Sequence, residues 1–128
     1  MKTSWVELCV SNLEESIAWF SNILGFQIDG RDDHFAGLRR GETTILLGLD
    51  SGSYWEPEKS RLPKPGYRGF GVEVVLLVND IETIYHDAKN KGADIVRPLE
   101  TWPWNLKQFW VRHPDGYLIR PAERVTED

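Results

Sequence analysis

The chain has 128 residues with a formal charge of −5, 41% of them hydrophobic and 27% charged, the balance of one ordinary globular domain. A net negative charge argues against non-specific nucleic-acid binding, and no apolar run approaches the roughly 20 residues of a membrane helix. A single cysteine, Cys9, leaves no partner for an intrachain disulfide and no thiolate cluster for a metal, and without a basic-then-apolar leader in residues 1–10 a cytoplasmic location is expected.

From the N-terminus, Val6, Leu8 and Val10 alternate with Trp5, Glu7 and Cys9, the period of a strand with one face toward a core and the other away from it. Asn12 stands where a helix cap is wanted, with Glu15 three residues on. Leu13, Ile17, Phe20 and Leu24 then fall on one helical face, and Gly25 ends the helix. Residues 26–29 read as a short strand, and residues 34–49 as a hairpin turning near Arg40-Gly41-Glu42. Residues 50–69 carry three prolines, three glycines and mixed charges, which reads as a loop with the length of a functional flap.

The pattern then starts again. Shifted by 68 positions, Val74, Leu76 and Val78 fall on Val6, Leu8 and Val10, Asp80 falls on the capping Asn12, and Ile81 on Leu13. Ile81, Ile84, Tyr85 and Ala88 predict the buried face of a second helix, and Gly92 its stop. Residues 93–96 read as a strand and residues 107–121 as a hairpin around His113-Pro114-Asp115-Gly116, where proline presets φ and glycine accepts a positive one. The expected fold is α+β: two βαβββ modules, about 4–50 and 70–124, joined by the loop within one domain.

The doubled unit resembles the vicinal oxygen chelate superfamily, which includes glyoxalase I, extradiol dioxygenases and the fosfomycin and bleomycin resistance proteins. The resemblance rests on residues 10–26 (VSNLEESIAWFSNILGF), 78–95 (VNDIETIYHDAKNKGADI) and 113–123 (HPDGYLIRPAE). Residues 32–50 and 103–116 look most like bleomycin resistance proteins. The resemblance implies curved mixed sheets around a cavity, a small-molecule ligand and a homodimer.

The resemblance also implies where a metal would be held. Metal-using members draw ligands from the first and last strand of each module, and the matching positions here are Trp5, Glu73, Arg120 and a residue near Leu47 or Leu49. A divalent cation needs several imidazoles or carboxylates converging on it. Of this set only Glu73 qualifies, so neither a metal nor another cofactor is expected. Glu7, Glu73 and His34 form an alternative set, at an unusual place.

By alternation the cavity face carries Trp5, Glu7 and Cys9 on the first strand, Glu73, Val75 and Leu77 on its counterpart, and Gln108, Trp110 and Arg112 on the strand before the last turn. Trp102-Pro103-Trp104 is placed at a rim, and Tyr54 and Trp55 in the loop that could close over the opening. Tryptophan offers broad faces for planar or cationic ligands. By the likeness to bleomycin resistance proteins, Phe35, Trp55, Trp104 and Trp110 are carried over as aromatic contacts. Glu73 and Arg120 are expected either to pair with each other or to meet charged ligand groups.

The reading that follows is a metal-free protein that binds or sequesters an aromatic or cationic small molecule, through Trp5, Glu7, Phe35, Trp55, Glu73, Trp104, Trp110, Arg112 and Arg120. The rival readings are a lyase or dioxygenase-type enzyme, with an unorthodox metal site or Glu73 as base, and a module that binds a protein partner.

Overall fold

The computed structural model describes residues 4–125. Its elements run in two parallel series: β1 (Val6–Val10), α1 (Leu13–Leu24), β2 (Gln27–Arg31), β3 (Phe35–Arg40) and β4 (Thr43–Leu49), then β5 (Glu73–Leu77), α2 (Ile81–Asn90), β6 (Asp94–Trp102), β7 (Leu106–Arg112) and β8 (Leu118–Arg124). Two four-stranded mixed sheets result, in the orders β1-β4-β3-β2 and β5-β8-β7-β6. In each, the first strand pairs parallel with the last and the remaining pairs are antiparallel. Register breaks between Ile28 and Arg31 and between Ile95 and Glu100 bend the outer strands.

Both helices form for the reasons their sequences suggest, with one difference. Asn12 Oδ1 accepts the Glu15 backbone N–H at 2.9 Å, and Gly25 closes α1 in the left-handed region at φ 73°. Asp80 occupies the equivalent position before α2, but its side chain makes no capping bond. It turns instead toward Arg40, 3.7 Å away, and Glu123 of β8 accepts the Ile81 N–H at 3.0 Å. The second cap therefore comes from a distant strand, which local spacing cannot reveal.

Helix α1 packs on β2–β4, α2 packs on β6–β8, and the two helices pack on each other. Leu8, Val10, Phe20, Leu38, Ile45 and Leu47 from the first series thus share one core with Leu76, Ile81, Ala88, Phe109, Val111 and Ile119 from the second. Phe20 is fully buried at its centre, edge-on to Trp19 and Phe26; truncating such a ring costs about 3–5 kcal/mol. Because this core consumes one face of each sheet, the opposite faces look outward. There Trp5, Val75 and Leu77 are exposed.

Polar contacts tie the two halves together around the loop. The Asp115 carboxylate accepts both the Ser11 N–H at 2.7 Å and its hydroxyl at 2.6 Å. Arg68, 4% exposed, donates to both oxygens of Asp50 at 2.7 and 2.8 Å and to the carbonyl of Pro63. Gly116, at φ 114°, lies so close to Arg68 that a Cβ would sit 2.7 Å from its backbone nitrogen, so both conformation and space demand glycine. The segment from 50 to 69 is therefore not a structureless flap: it contains a short 3-10 helix, Glu56–Arg61, and is anchored to the core by Arg68.

Candidate functional site

The outward face of the second sheet carries a compact aromatic and cationic cluster. Strands β6 and β7 form a hairpin whose turn, residues 103–105, is tightened by Asn105 at φ 65°. The tightness brings Trp104 back over Trp102, their rings stacked with centroids 5.1 Å apart, and Trp110 stands edge-on to Trp102 at 5.6 Å. Arg97, opposite Trp110 in the β6–β7 pairing, lays its guanidinium 4.7 Å from the Trp102 ring and 5.6 Å from Trp110. Arg120 approaches Trp110 from β8 at 5.5 Å. Such contacts set the guanidinium groups over the indole faces.

Polar groups underlie the rings. Glu73 binds Arg120 through Oε1 at 2.8 Å and accepts the Trp110 indole N–H through Oε2 at 2.9 Å. Gln108, fully buried, accepts from Trp104 Nε1 at 3.2 Å and from Arg120 at 2.9 Å, both at Oε1. Three donors of the same cluster, Gln108 Nε2, Arg120 Nε and Trp102 Nε1, are buried and have no partner among the described residues.

A second aromatic group lies on the outward face of the first sheet. Trp5 donates to Glu7 at 3.3 Å, and the Tyr54 hydroxyl donates to the other Glu7 oxygen, a bond that pushes the phenol above its ordinary pKa. Tyr54 stacks on Trp55, and Trp55 lies flat on Gly48, where a Cβ would come within 2.6 Å of its ring. Phe35 pairs with Gly48 across β3 and β4. Trp55 Nε1 is a fourth buried donor without a partner.

The structure thus divides the residues that the sequence grouped. Glu73, Trp104, Trp110 and Arg120 come together, while Trp5, Glu7, Phe35 and Trp55 gather on the other sheet. No hydrogen bond, ion pair or ring contact among the described residues joins Trp5 to Glu73, Trp110 or Arg120. Arg112 leaves the tryptophans altogether: it donates to the Gly116 carbonyl at 2.8 Å and lies over Phe70 at 5.2 Å. Sequence reasoning left out Arg97 and the full weight of Trp102 and Gln108. Arg97 could not be placed because the register breaks in β6 decide which side it takes.

Two other residues lie beneath the surface. Cys9, on the face of Trp5 and Glu7, fills the place of a small spacer rather than lining an opening. It is buried, and its thiol donates to Asp50 at 3.0 Å; burial first, and then the bond to Asp50, push it up to about 12. The Asp50 carboxyl is raised by burial, but hydrogen bonds from Arg68 and Cys9 outweigh that and hold it below the usual range. His113, at the start of the last hairpin turn, is buried. Its Nδ1 accepts the Asp115 N–H at 2.9 Å, so Nε2 carries the proton toward Ser16 Oγ at 3.0 Å, and burial drops its pKa to about 4.

The donor set does not fit a divalent metal. Leu47 is buried in the core, and Leu49 packs against it. On β4 the residues that share a face with Glu7 and Cys9 are Leu46 and Gly48. Glu73 is committed to Arg120 and Trp110, and Glu7 lies on the other sheet. Among the described residues no three His, Cys, Asp or Glu side chains converge. No described helix is long and apolar enough to cross a membrane.

The family model described as "Glyoxalase/Bleomycin resistance protein/Dioxygenase superfamily" matches residues 2–120. Two proteins named lactoylglutathione lyase, from Neisseria meningitidis serogroups A and B, are 27% identical over 94% of this chain and 89% of their own length. Among solved structures, TioX from Micromonospora sp. ML1 superposes with a TM-score of 0.75 at 23% identity, covering 97% of this chain and all of that one. A glyoxalase/bleomycin resistance protein/dioxygenase family enzyme from Burkholderia phytofirmans PsJN superposes with a TM-score of 0.79 at 16% identity, covering 95% of this chain and 98% of that one. At these identities the two structures show the fold alone.

Proposed function

The chain belongs to the glyoxalase/bleomycin resistance protein/dioxygenase superfamily, and from that premise we propose that it is a metal-free binding protein that captures a planar aromatic small molecule. One observation carries the reading. Where metal-using relatives are expected to place ligands, this chain puts Trp5, Glu73 and Arg120, and the last two are bound to each other beside the Trp102–Trp104–Trp110 cluster. Stacked indoles with guanidinium groups on their faces suit a flat π-system. They offer no Lewis acid and no free base.

The proposal includes a homodimer. Both aromatic faces look away from the shared core, so a single chain leaves Trp5 and Val75 exposed at 58% and 40%. A second copy that sets its first sheet against the second sheet of this one would cover both faces and form a closed aromatic groove.

The test is a titration of purified protein with planar heteroaromatic compounds, followed by tryptophan fluorescence and thermal unfolding, with metal analysis after dialysis. Saturable quenching together with a raised Tm is expected. Stoichiometric zinc, manganese, nickel or iron surviving dialysis, or no response to any compound, overturns the reading.

The likeness to proteins named lactoylglutathione lyase over nearly the whole chain favours a second reading, a lyase of the same fold. Glu73 would be its base, yet both oxygens are already engaged. Lactoylglutathione lyase activity that is unaffected by Glu73→Gln would exclude that role.

A further inference from the structure

The geometry points to the polarity of the ligand: the second-sheet cluster is built for an aromatic carboxylate, or a similar hydrogen-bond acceptor on a flat ring, rather than for a cation. The inference rests on the reading that this face captures an aromatic small molecule, and it narrows that reading's chemistry.

Gln108 Oε1 receives two N–H donors, from Trp104 and from Arg120. An indole N–H and a guanidinium can only donate, so the amide cannot be flipped. Nε2 is therefore a donor, on a fully buried side chain, with nothing to receive it. Glu100 faces Gln108 across the β6–β7 pairing, but its carboxylate makes no bond to that nitrogen. Arg120 Nε and Trp102 Nε1 are in the same state. Buried donors left unanswered are costly and uncommon, and here three belong to one cluster. All of them are N–H groups; no buried side-chain acceptor among the described residues lacks a partner.

Charge agrees with the hydrogen-bond inventory. The carboxylate bonded within the cluster, Glu73, is occupied by Arg120 and Trp110, and Glu100, opposite Gln108 on β6, is exposed. Arg97 lies over two indole rings and has no ion-pair partner among the described residues. A cationic ligand would meet Arg97 and Arg120 on the very faces it needs. An anion would find a guanidinium at the edge of its ring site and amide and indole donors beneath it.

Access falls to Trp104. It sits on the hairpin turn, is 52% exposed, and is held by its stack on Trp102 and by one 3.2 Å bond to Gln108. Lifting its ring uncovers Gln108, and the ligand ring can take its place on Trp102.

The test compares 2-naphthoate with 2-naphthylmethylammonium, which present the same ring with opposite charge, by fluorescence titration of the full chain at pH 7. Naphthoate should bind at least tenfold more tightly. In Gln108→Glu the acceptor for Trp104 and Arg120 is kept, while the unpartnered donor becomes an acceptor and the side chain gains a negative charge. The variant should melt within a few degrees of the parent and lose the naphthoate preference by tenfold or more. Equal or tighter binding of the ammonium compound, or an unchanged preference in Gln108→Glu, overturns the inference and leaves aromatic capture standing. If neither naphthyl probe perturbs the tryptophans, both fall together.

Discussion

Glu73 and Arg120 meet at 2.8 Å on neighbouring strands of the second sheet, at two of the positions the family resemblance matches to metal ligands. The pair is one-sided in its exposure: the Arg120 side chain is 17% exposed and that of Glu73 is 33%. Arg120 thus depends on its partner more than Glu73 does. Glu73→Ala should destabilise the fold by about 1–2 kcal/mol, because it leaves Arg120 without its carboxylate, with Gln108 as its remaining hydrogen-bond partner. Adding Arg120→Met should cost less than the sum of the two single changes. Urea denaturation of the four proteins measures the coupling, and strict additivity would show the pair to be incidental.

Arg68 ties the loop between the two sheets to Asp50. It is buried and bound to Asp50 through two hydrogen bonds. Removing one partner of such a pair strands the other, at about 3–5 kcal/mol. Arg68→Ala should lower stability by that amount and expose residues 51–67 to proteolysis. An unchanged denaturation midpoint would mean that the loop is held by other contacts.

His113 makes stability fall in mild acid. Its pKa is about 4 in the folded chain against about 6.5 when unfolded. Below 6.5 the unfolded chain takes up a proton that the folded one refuses, so stability declines as pH falls from 6.5 toward 4 and this contribution then levels off. That difference corresponds to roughly 3 kcal/mol. Urea midpoints measured between pH 7.5 and 4 should drop accordingly, and His113→Gln should flatten that part of the profile.

Cys9 should be chemically silent in the native protein. It is 2% exposed, with its thiol pushed up to about 12 by burial and by Asp50, so almost no thiolate exists near neutrality. Ellman's reagent at pH 8 should label it only in denaturant. Fast labelling of the folded chain would place Cys9 on an open surface.

The doubled unit was legible in the sequence because it is written in local periods. Val6, Leu8 and Val10 alternate, Leu13, Ile17 and Phe20 follow a helix, and Asn12 and Gly25 punctuate it; the same signals return 68 residues later. Alternation also placed Glu73, Gln108 and Trp110 on one face, and Phe109 and Val111 on the other. What lay beyond reach was set by contacts across the chain. The β6 register breaks decide that Arg97 covers Trp110, and Glu123, rather than the expected Asp80, caps the second helix. Each half closes its own sheet, and the two helices packed between the halves keep Trp5 on one sheet's outward face and Glu73 on the other's. A strand's period tells which residues share a face, because it follows from the backbone alone. Which face looks at which depends on how whole layers bury their apolar sides, and that is settled only when the two modules meet.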